Sequence, residues 1–140
     1  MSVYLDTSVL ISHFVDDANS DRADSLIASL SDDVVLSDLC AAEFASGLSR
    51  LVRMSDLASD AARATFANFD IWASGVAQRV SPNPADWRTT ERLLRSLEFP
   101  LRTPDMLHIA VAARLGAELA TLDRRMQDVA TAVGLRIVAA

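Results

Sequence analysis

Four acidic residues occupy similar places in the sequence, each at the end of a predicted strand or in an adjoining helix: Asp6, Glu43, Asp105 and Asp123. Carboxylates that crowd together raise one another's pKa, and a hard divalent cation with oxygen ligands relieves that repulsion. Such a cation can orient and deprotonate a water molecule for attack on phosphorus, and a second ion about 3.5 to 4 Å away can stabilise the leaving oxygen. The residue types therefore suit metal-dependent phosphodiester hydrolysis, although spacing alone does not establish that the carboxylates meet.

Each acid also has a structural explanation. Asp105 lies in the first turn of its predicted helix, where a negative charge gains about 0.3 to 1 kcal/mol from the helix dipole. Asp123 is suited to cap the helix that follows it. Asp6 follows the apolar run at residues 3–5 and needs a partner or a metal to offset its desolvation. Glu43 lies among apolar residues of a helix that looks largely covered, and its alternative is an ordinary exposed helix position.

The histidines and the single cysteine are weaker candidates for chemistry. His108 follows Asp105 by about one helical turn and could contact the acids, but a hydrogen-bonded core histidine is the favoured interpretation. His13, beside Phe14, is predicted to be structural. Cys40 is predicted to be a small core residue rather than a nucleophile.

Short apolar strands and amphipathic helices alternate along the chain and must position these residues. Strands are predicted at residues 3–5, 33–37, about 75–80, 118–122 and 135–138. Helices are predicted after Thr7 or Ser8 and at residues 19–30, 38–54, 55–70, 85–97, 103–115 and 124–133. Thr7 or Ser8 is expected to cap the first helix, Ser37 or Asp38 the third, and Thr103 the sixth. This alternation predicts an α/β fold whose central, mostly parallel sheet of four to five strands is covered on both faces.

The composition indicates one domain over residues 1–140, since 51% of the residues are hydrophobic and the chain is long enough to bury a core. A single cysteine excludes an internal disulfide and a multi-cysteine zinc site. The sequence contains neither a signal-peptide pattern nor an apolar run of membrane-spanning length. We therefore expect a cytoplasmic protein that does not associate with membranes.

The net charge of −6 argues against nonspecific nucleic-acid binding over the whole surface. All 13 basic residues are arginines, whose planar fork suits phosphate or carboxylate, although ordinary surface solubility explains most of them. Arginines that could border an acidic site are Arg50, Arg53, Arg102, Arg124 and Arg125. A second stripe of arginines, or simply a solvated helix face, is formed by Arg88, Arg92 and Arg95.

The acidic segments resemble the four signatures of the PIN-domain ribonucleases, and most of all those of the VapC toxins of toxin–antitoxin pairs. They are Leu5-Asp6-Thr7-Ser8, Glu43, the run at residues 103–110 (TPDMLHIA) and Thr121-Leu122-Asp123. The resemblance implies a PIN-like three-layer α/β/α domain over the whole chain and an endoribonuclease that depends on Mg²⁺ or Mn²⁺. It also implies that Asp6, Glu43, Asp105 and Asp123 are the catalytic metal ligands, with Thr7, Ser8 and Thr121 as supporting hydroxyls. One departure is Met126, where many relatives have an aromatic residue.

Partners follow from the same resemblance. It implies an RNA substrate, a homodimer and inhibition by a cognate VapB-type antitoxin whose tail lies near the active site. An apolar surface that could serve the protein contacts is predicted from Leu48, Leu51, Val52, Leu57 and Phe66. The alternative is that these residues only pack two consecutive helices together.

Other functions fit the sequence less well. A haloacid-dehalogenase-like phosphatase needs an aspartate at the position of Ser8, and a response-regulator receiver needs a lysine, which the sequence lacks. The strongest rival is a non-catalytic PIN-like module that binds RNA or another protein. A DNA-directed nuclease of the same fold is a nearer alternative.

Overall fold

A parallel four-stranded sheet forms the centre of the computed structural model, which describes residues 1–30 and 33–138. Its strands are β1 (Val3–Leu5), β2 (Val34–Ser37), β3 (Ala77–Val80) and β4 (Glu118–Ala120), in the spatial order β3-β2-β1-β4. All three pairings are parallel, and Val3 of β1 pairs with Val34 on one side and Glu118 on the other. The carboxyl ends of the strands therefore lie along one edge of the sheet.

Seven helices cover the sheet within the described ranges. They are α1 (Thr7–Phe14), α2 (Ser20–Ala28), α3 (Asp38–Arg53), α4 (Ser59–Val76), α5 (Pro84–Arg95), α6 (Thr103–Leu115) and α7 (Arg124–Ala132). Because side chains alternate along a strand, Val3 and Leu5 pack into a core with α1 to α4, whereas Tyr4 packs into a second core with α6 and α7. The predicted α/β/α arrangement with a parallel sheet is thus confirmed.

The N-caps of α1, α3 and α6 were predicted from sequence, and the structure confirms one of the three. Ser37 caps α3 as predicted, accepting a hydrogen bond from Cys40 N across 3.1 Å. The prediction that Thr7 or Ser8 caps α1 is wrong, because Asp6 is the N-cap and its carboxylate accepts from Ser8 N. The prediction that Thr103 caps α6 is also wrong: Thr103 is the first helical residue, and the N-cap, Arg102, makes no side-chain capping bond.

The largest differences from the predicted elements concern the fourth helix and the last strand. The fourth helix begins later, at Ser59, and continues through residues 71–76, because Trp72 and Phe69 keep the helical spacing and pack against Phe14 of α1. The strand predicted at residues 135–138 is reduced to a single bridge between Leu119 and Ile137. The described sheet therefore has the lower of the two predicted strand numbers.

Among residues 1–30 and 33–138, none of the helices combines the length and apolarity needed to cross a bilayer.

Candidate metal centre

Asp6 lies directly after β1 at the carboxyl edge of the sheet, where its side chain is almost fully buried. Its backbone N–H donates to Ala120 O across 2.9 Å. The oxygen Oδ2 accepts from Ser8 Oγ at 2.7 Å, from Thr121 Oγ1 at 2.8 Å and more weakly from Ser8 N at 3.4 Å. Oδ1 accepts no hydrogen bond from the described residues and lies 3.6 Å from His108 Nε2. The carboxylate is thus held through one oxygen, which leaves the other available to a cation.

Glu43 projects from α3 toward the same place. Its Oε1 accepts from Thr7 Oγ1 at 2.8 Å and from His108 Nε2. Partial burial acts to raise the pKa of Glu43, but the hydrogen bond and charge of His108 and the hydrogen bond from Thr7 outweigh it, so the pKa lies below its usual value. Glu43 is therefore favoured in its ionised form, which is the form that binds a metal.

Asp105 and Asp123 complete the acidic group. Asp105 lies in the first turn of α6, and its side chain makes no hydrogen bond with any described residue. Partial burial, followed by repulsion from Asp6, Asp123 and Glu43, raises the pKa of Asp105 above its ordinary value. Asp123 also has the structural role considered from sequence: it caps α7, with Oδ1 accepting from Arg125 N at 2.9 Å and Met126 N at 3.3 Å. Asp105 therefore lies within electrostatic reach of the other three acids, although only Asp6 and Glu43 belong, with His108, to the cluster whose candidate ligand atoms lie within 4.8 Å of one another.

Three hydroxyls orient these carboxylates. Thr7 donates to Glu43, whereas Ser8 and Thr121 both donate to Asp6. Ser8 Oγ in turn accepts from the backbone N–H of residue 122 at 3.1 Å, and Thr121 Oγ1 accepts from Asp123 N at 3.0 Å. The carboxyl ends of β1 and β4 are consequently tied together around the acids.

His108 is both a core histidine, as favoured from sequence, and a contact of the acids. It is fully buried, and its Nε2 faces Glu43 and Asp6 while its Nδ1 lies 2.6 Å from Tyr4 Oη. Sequence reasoning missed Tyr4 altogether. The available signal was position: Tyr4 precedes Asp6 by two residues, and residues two apart in a strand share a face.

Cys40 and His13 lie where sequence reasoning placed them. Cys40 is fully buried in the core, and burial raises the pKa of its thiol, so it is poorly suited to act as a nucleophile. His13 pairs through Nδ1 with Asp24 of α2 at 2.7 Å. Neither residue belongs to the candidate centre.

The donor set fits a divalent cation. Candidate ligand atoms of Asp6, Glu43 and His108 all lie within 4.8 Å of one another. Carboxylate oxygens suit Mg²⁺ and Mn²⁺, whereas imidazole nitrogen is a softer ligand that suits later transition metals. Partial burial and then repulsion from the other three acids both disfavour the charged form of Asp105 and raise its pKa. A hard cation near the carboxylates would remove this repulsion.

The predicted apolar surface is only partly accessible. Leu48 is fully buried in the core, so its inclusion in that surface is wrong; its position on the inner face of α3 explains the burial. Val52 and Phe66 also pack against the core, but they line an open groove between α3 and α4 together with Arg53 and Arg63. Packing between helices therefore accounts for Leu48, whereas Val52 and Phe66 also contribute to an accessible surface.

A model of the PIN domain family matches residues 3–132, and the chain belongs to this family. Among curated proteins, ribonuclease VapC46 of Mycobacterium tuberculosis is 46% identical over 46 residues, which cover 31% of this chain and 35% of that protein. The chain thus matches about a third of the length of this relative.

Solved structures show the same fold over nearly the whole chain. VapC20 of Mycobacterium tuberculosis, described as a toxin that cleaves the sarcin-ricin loop, is 23% identical with a TM-score of 0.74 and covers 99% of each chain. FitAcB of Neisseria gonorrhoeae is 20% identical with a TM-score of 0.72, over 98% of this chain and 96% of that one. VapBC-1 of nontypeable Haemophilus influenzae is 17% identical with a TM-score of 0.68, again over 98% and 96%. At these identities the similarity establishes the fold.

Proposed function

We propose that this protein is a metal-dependent endoribonuclease that hydrolyses RNA phosphodiester bonds and acts as the toxin of a toxin–antitoxin pair. The observation that carries the proposal is the cluster of Asp6, Glu43 and His108 at the carboxyl edge of the sheet, whose candidate ligand atoms lie within 4.8 Å of one another, in a chain of the PIN domain family. Asp105 lies within electrostatic reach of Asp6, Glu43 and Asp123. RNA as the substrate is supported by the match to a protein named ribonuclease VapC46. One PIN-like domain over residues 1–140 is part of the same proposal.

The acids Asp6, Glu43, Asp105 and Asp123 are the residues that would hold Mg²⁺, or Mn²⁺ in its place. When bound, the metal supplies a water of lowered pKa and neutralises charge on the scissile phosphate. Ser8 and Thr121 keep Asp6 Oδ2 engaged, and Thr7 keeps Glu43 Oε1 engaged. The opposite oxygens of both carboxylates accept no hydrogen bond from the described residues, so they would be free to hold the ion.

Exposed arginines next to the acids are suited to attract RNA phosphates. Arg124 and Arg125 directly follow Asp123 at the start of α7, and Arg102 immediately precedes α6. All three are exposed in the described structure. Cations at the border of an acidic site offset its repulsion of a polyanion.

A VapB-type antitoxin and a second copy of the chain are the proposed protein partners. Support comes from similarity to solved complexes that contain VapB and VapC, such as VapBC-1 of Haemophilus influenzae and VapBC-5 of Mycobacterium tuberculosis. The groove lined by Val52, Arg53, Arg63 and Phe66 combines apolar and basic groups, which suits a segment that carries both apolar and acidic residues. A cytoplasmic location stays a prediction.

The rival, a non-catalytic module that binds RNA or a protein, is tested by the same experiment as the proposal. Purified protein, freed of any bound antitoxin, is incubated with total RNA and with single-stranded DNA in the presence of Mg²⁺, Mn²⁺ or EDTA. We expect discrete RNA fragments that require metal and disappear in Asp6→Asn, which removes one charge from the centre while retaining acceptor and shape. Asp128→Asn removes an equivalent charge from an exposed position of α7 and should leave cleavage unchanged. Intact RNA in every sample that binds Mn²⁺ would favour the module instead.

A further inference from the structure

Both hydrogen bonds that Glu43 accepts fall on the same oxygen. Thr7 Oγ1 donates to Oε1 at 2.8 Å and His108 Nε2 donates to the same atom, while Oε2 accepts none within the described part of the chain. Glutamate has three side-chain torsions, and this side chain is 30% exposed, so these two bonds restrict a carboxylate that could otherwise adopt other rotamers. The orientation of Glu43 therefore depends on Thr7 and His108.

His108 is itself held by a series of hydrogen bonds on the side of its ring opposite Glu43. Its Nδ1 lies 2.6 Å from Tyr4 Oη, Tyr4 Oη is hydrogen-bonded to Ser37 Oγ at 2.8 Å, and Ser37 Oγ accepts from Cys40 N at 3.1 Å. Tyr4, Ser37 and His108 are all fully buried. We call these three side chains the polar column; it begins at Ser37, the last residue of β2, and ends at Glu43.

Apolar side chains could fill the space of the polar column with a smaller desolvation free energy. Burying a hydroxyl or an imidazole is unfavourable unless each polar atom is paired. In this column each side chain is paired with the next member, and the two ends are paired with Glu43 and with the backbone N–H of Cys40. The end of the column is the half-buried Glu43. A column of this kind is better explained by what it does to Glu43 than by packing.

We propose that His108 is a positioning residue of the metal centre: supported by Tyr4 and Ser37, it holds Glu43 Oε1 so that the second oxygen is presented to the divalent ion. This inference rests on the proposed function, since it concerns the same centre. Asp105 lies three residues before His108 on α6, so this one helix contributes an acid to the centre and also orients the acid supplied by α3. The proposal assigns His108 no direct bond to the ion.

The test measures Mn²⁺ binding without RNA, from the electron paramagnetic resonance signal of free Mn²⁺ during titration. His108→Gln keeps an amide nitrogen near the position of Nε2, whereas His108→Asn is too short to reach Glu43. We expect His108→Asn to weaken Mn²⁺ affinity about 10- to 100-fold, the usual effect of losing a residue that orients a ligand, and His108→Gln to restore most of it. Tyr4→Phe, which removes only the hydroxyl between Ser37 and His108, should weaken binding in the same direction and serves if His108→Asn does not fold.

A double-mutant cycle with Glu43→Gln separates positioning from direct ligation. If His108 acts through Glu43, adding His108→Asn to Glu43→Gln causes no further loss of Mn²⁺ affinity. Equal losses in both backgrounds would show that His108 contacts the ion independently, and unchanged binding in both His108→Asn and Tyr4→Phe would show that the column is only structural; either result overturns the proposal. A wild-type protein that binds no Mn²⁺ would overturn the proposed function itself, which keeps the two failures distinct.

Discussion

The hydroxyl of Thr121 donates to Asp6 Oδ2 across 2.8 Å and accepts the backbone N–H of Asp123 across 3.0 Å. Thr121 is fully buried and follows β4, whereas Asp6 follows the neighbouring strand β1. One small side chain therefore joins two adjacent strand ends and contacts two of the four acids.

Replacing Thr121 with valine should lower the free energy of unfolding by about 1 to 3 kcal/mol, because the partly buried amide of Asp123 loses its acceptor and the buried Asp6 carboxylate loses a donor. Urea unfolding of the metal-free protein measures this loss. Thr65→Val is the matched control, since the Thr65 hydroxyl only bonds the carbonyl of Ala61 in its own helix, and it should change stability by less than about 0.5 kcal/mol. Equal effects of the two substitutions would contradict the role given to Thr121.

Asp105→Asn should stabilise the metal-free protein at neutral pH. The pKa of Asp105 in the folded protein lies above its ordinary value of 3.8, so between these two pKa values the folded state binds more protons than the unfolded state. Stability contributed by this group is therefore lost as pH rises through that window, and the asparagine variant escapes the loss. Unfolding in EDTA from acid to neutral pH should show a difference between variant and wild type that grows with pH. Asp128→Asn should show no such trend.

Adding metal should reverse that order of stability. A ligand present at 100 times its Kd stabilises the folded state by about 2.7 kcal/mol. Wild type should gain this stabilisation from Mg²⁺ or Mn²⁺, whereas Asp105→Asn should gain less because one carboxylate is missing. An equal gain in the free energy of unfolding in both proteins would show that Asp105 is not a metal ligand.

Arg124→Gln and Arg125→Gln should each weaken RNA binding and reduce its dependence on salt. Every arginine that contacts a phosphate releases counterions and contributes about 0.7 to the slope of log affinity against log salt concentration for a single strand. Titrations of labelled RNA in EDTA, where cleavage is blocked, measure both quantities. Arg22→Gln, at an exposed position of α2, is the control that should leave the slope unchanged.

The layered fold could be predicted from periodicity because short apolar strands and amphipathic helices alternate clearly along the chain. Helix caps were harder to assign: Asp6, Thr7 and Ser8 are three successive residues that all favour the N-cap, and only the backbone geometry selects Asp6. The end of α4 was missed because Ile71 and Val76 are strand-favouring residues, although packing of Trp72 against α1 keeps the segment helical.

The candidate centre required more than local patterns. The acids are distant in sequence, and their meeting depends on the strand order β3-β2-β1-β4, which spacing does not reveal. Resemblance to the PIN family supplied that link, and the family match confirms the resemblance. The contact of His108 with Glu43 joins α6 to α3 across the end of the sheet, so it could not be read from the spacing of residues within either helix.

The acids differ in how much of the fold depends on them. Asp6 caps α1 and accepts bonds from two hydroxyls, and Asp123 caps α7, whereas the Asp105 side chain supports nothing else in the described structure. If the proposed nuclease activity were lost in evolution while the protein stayed folded, the substitution least disruptive to the fold would be at Asp105. Such a change would remove a charge from the candidate centre and leave the caps of α1 and α7 intact.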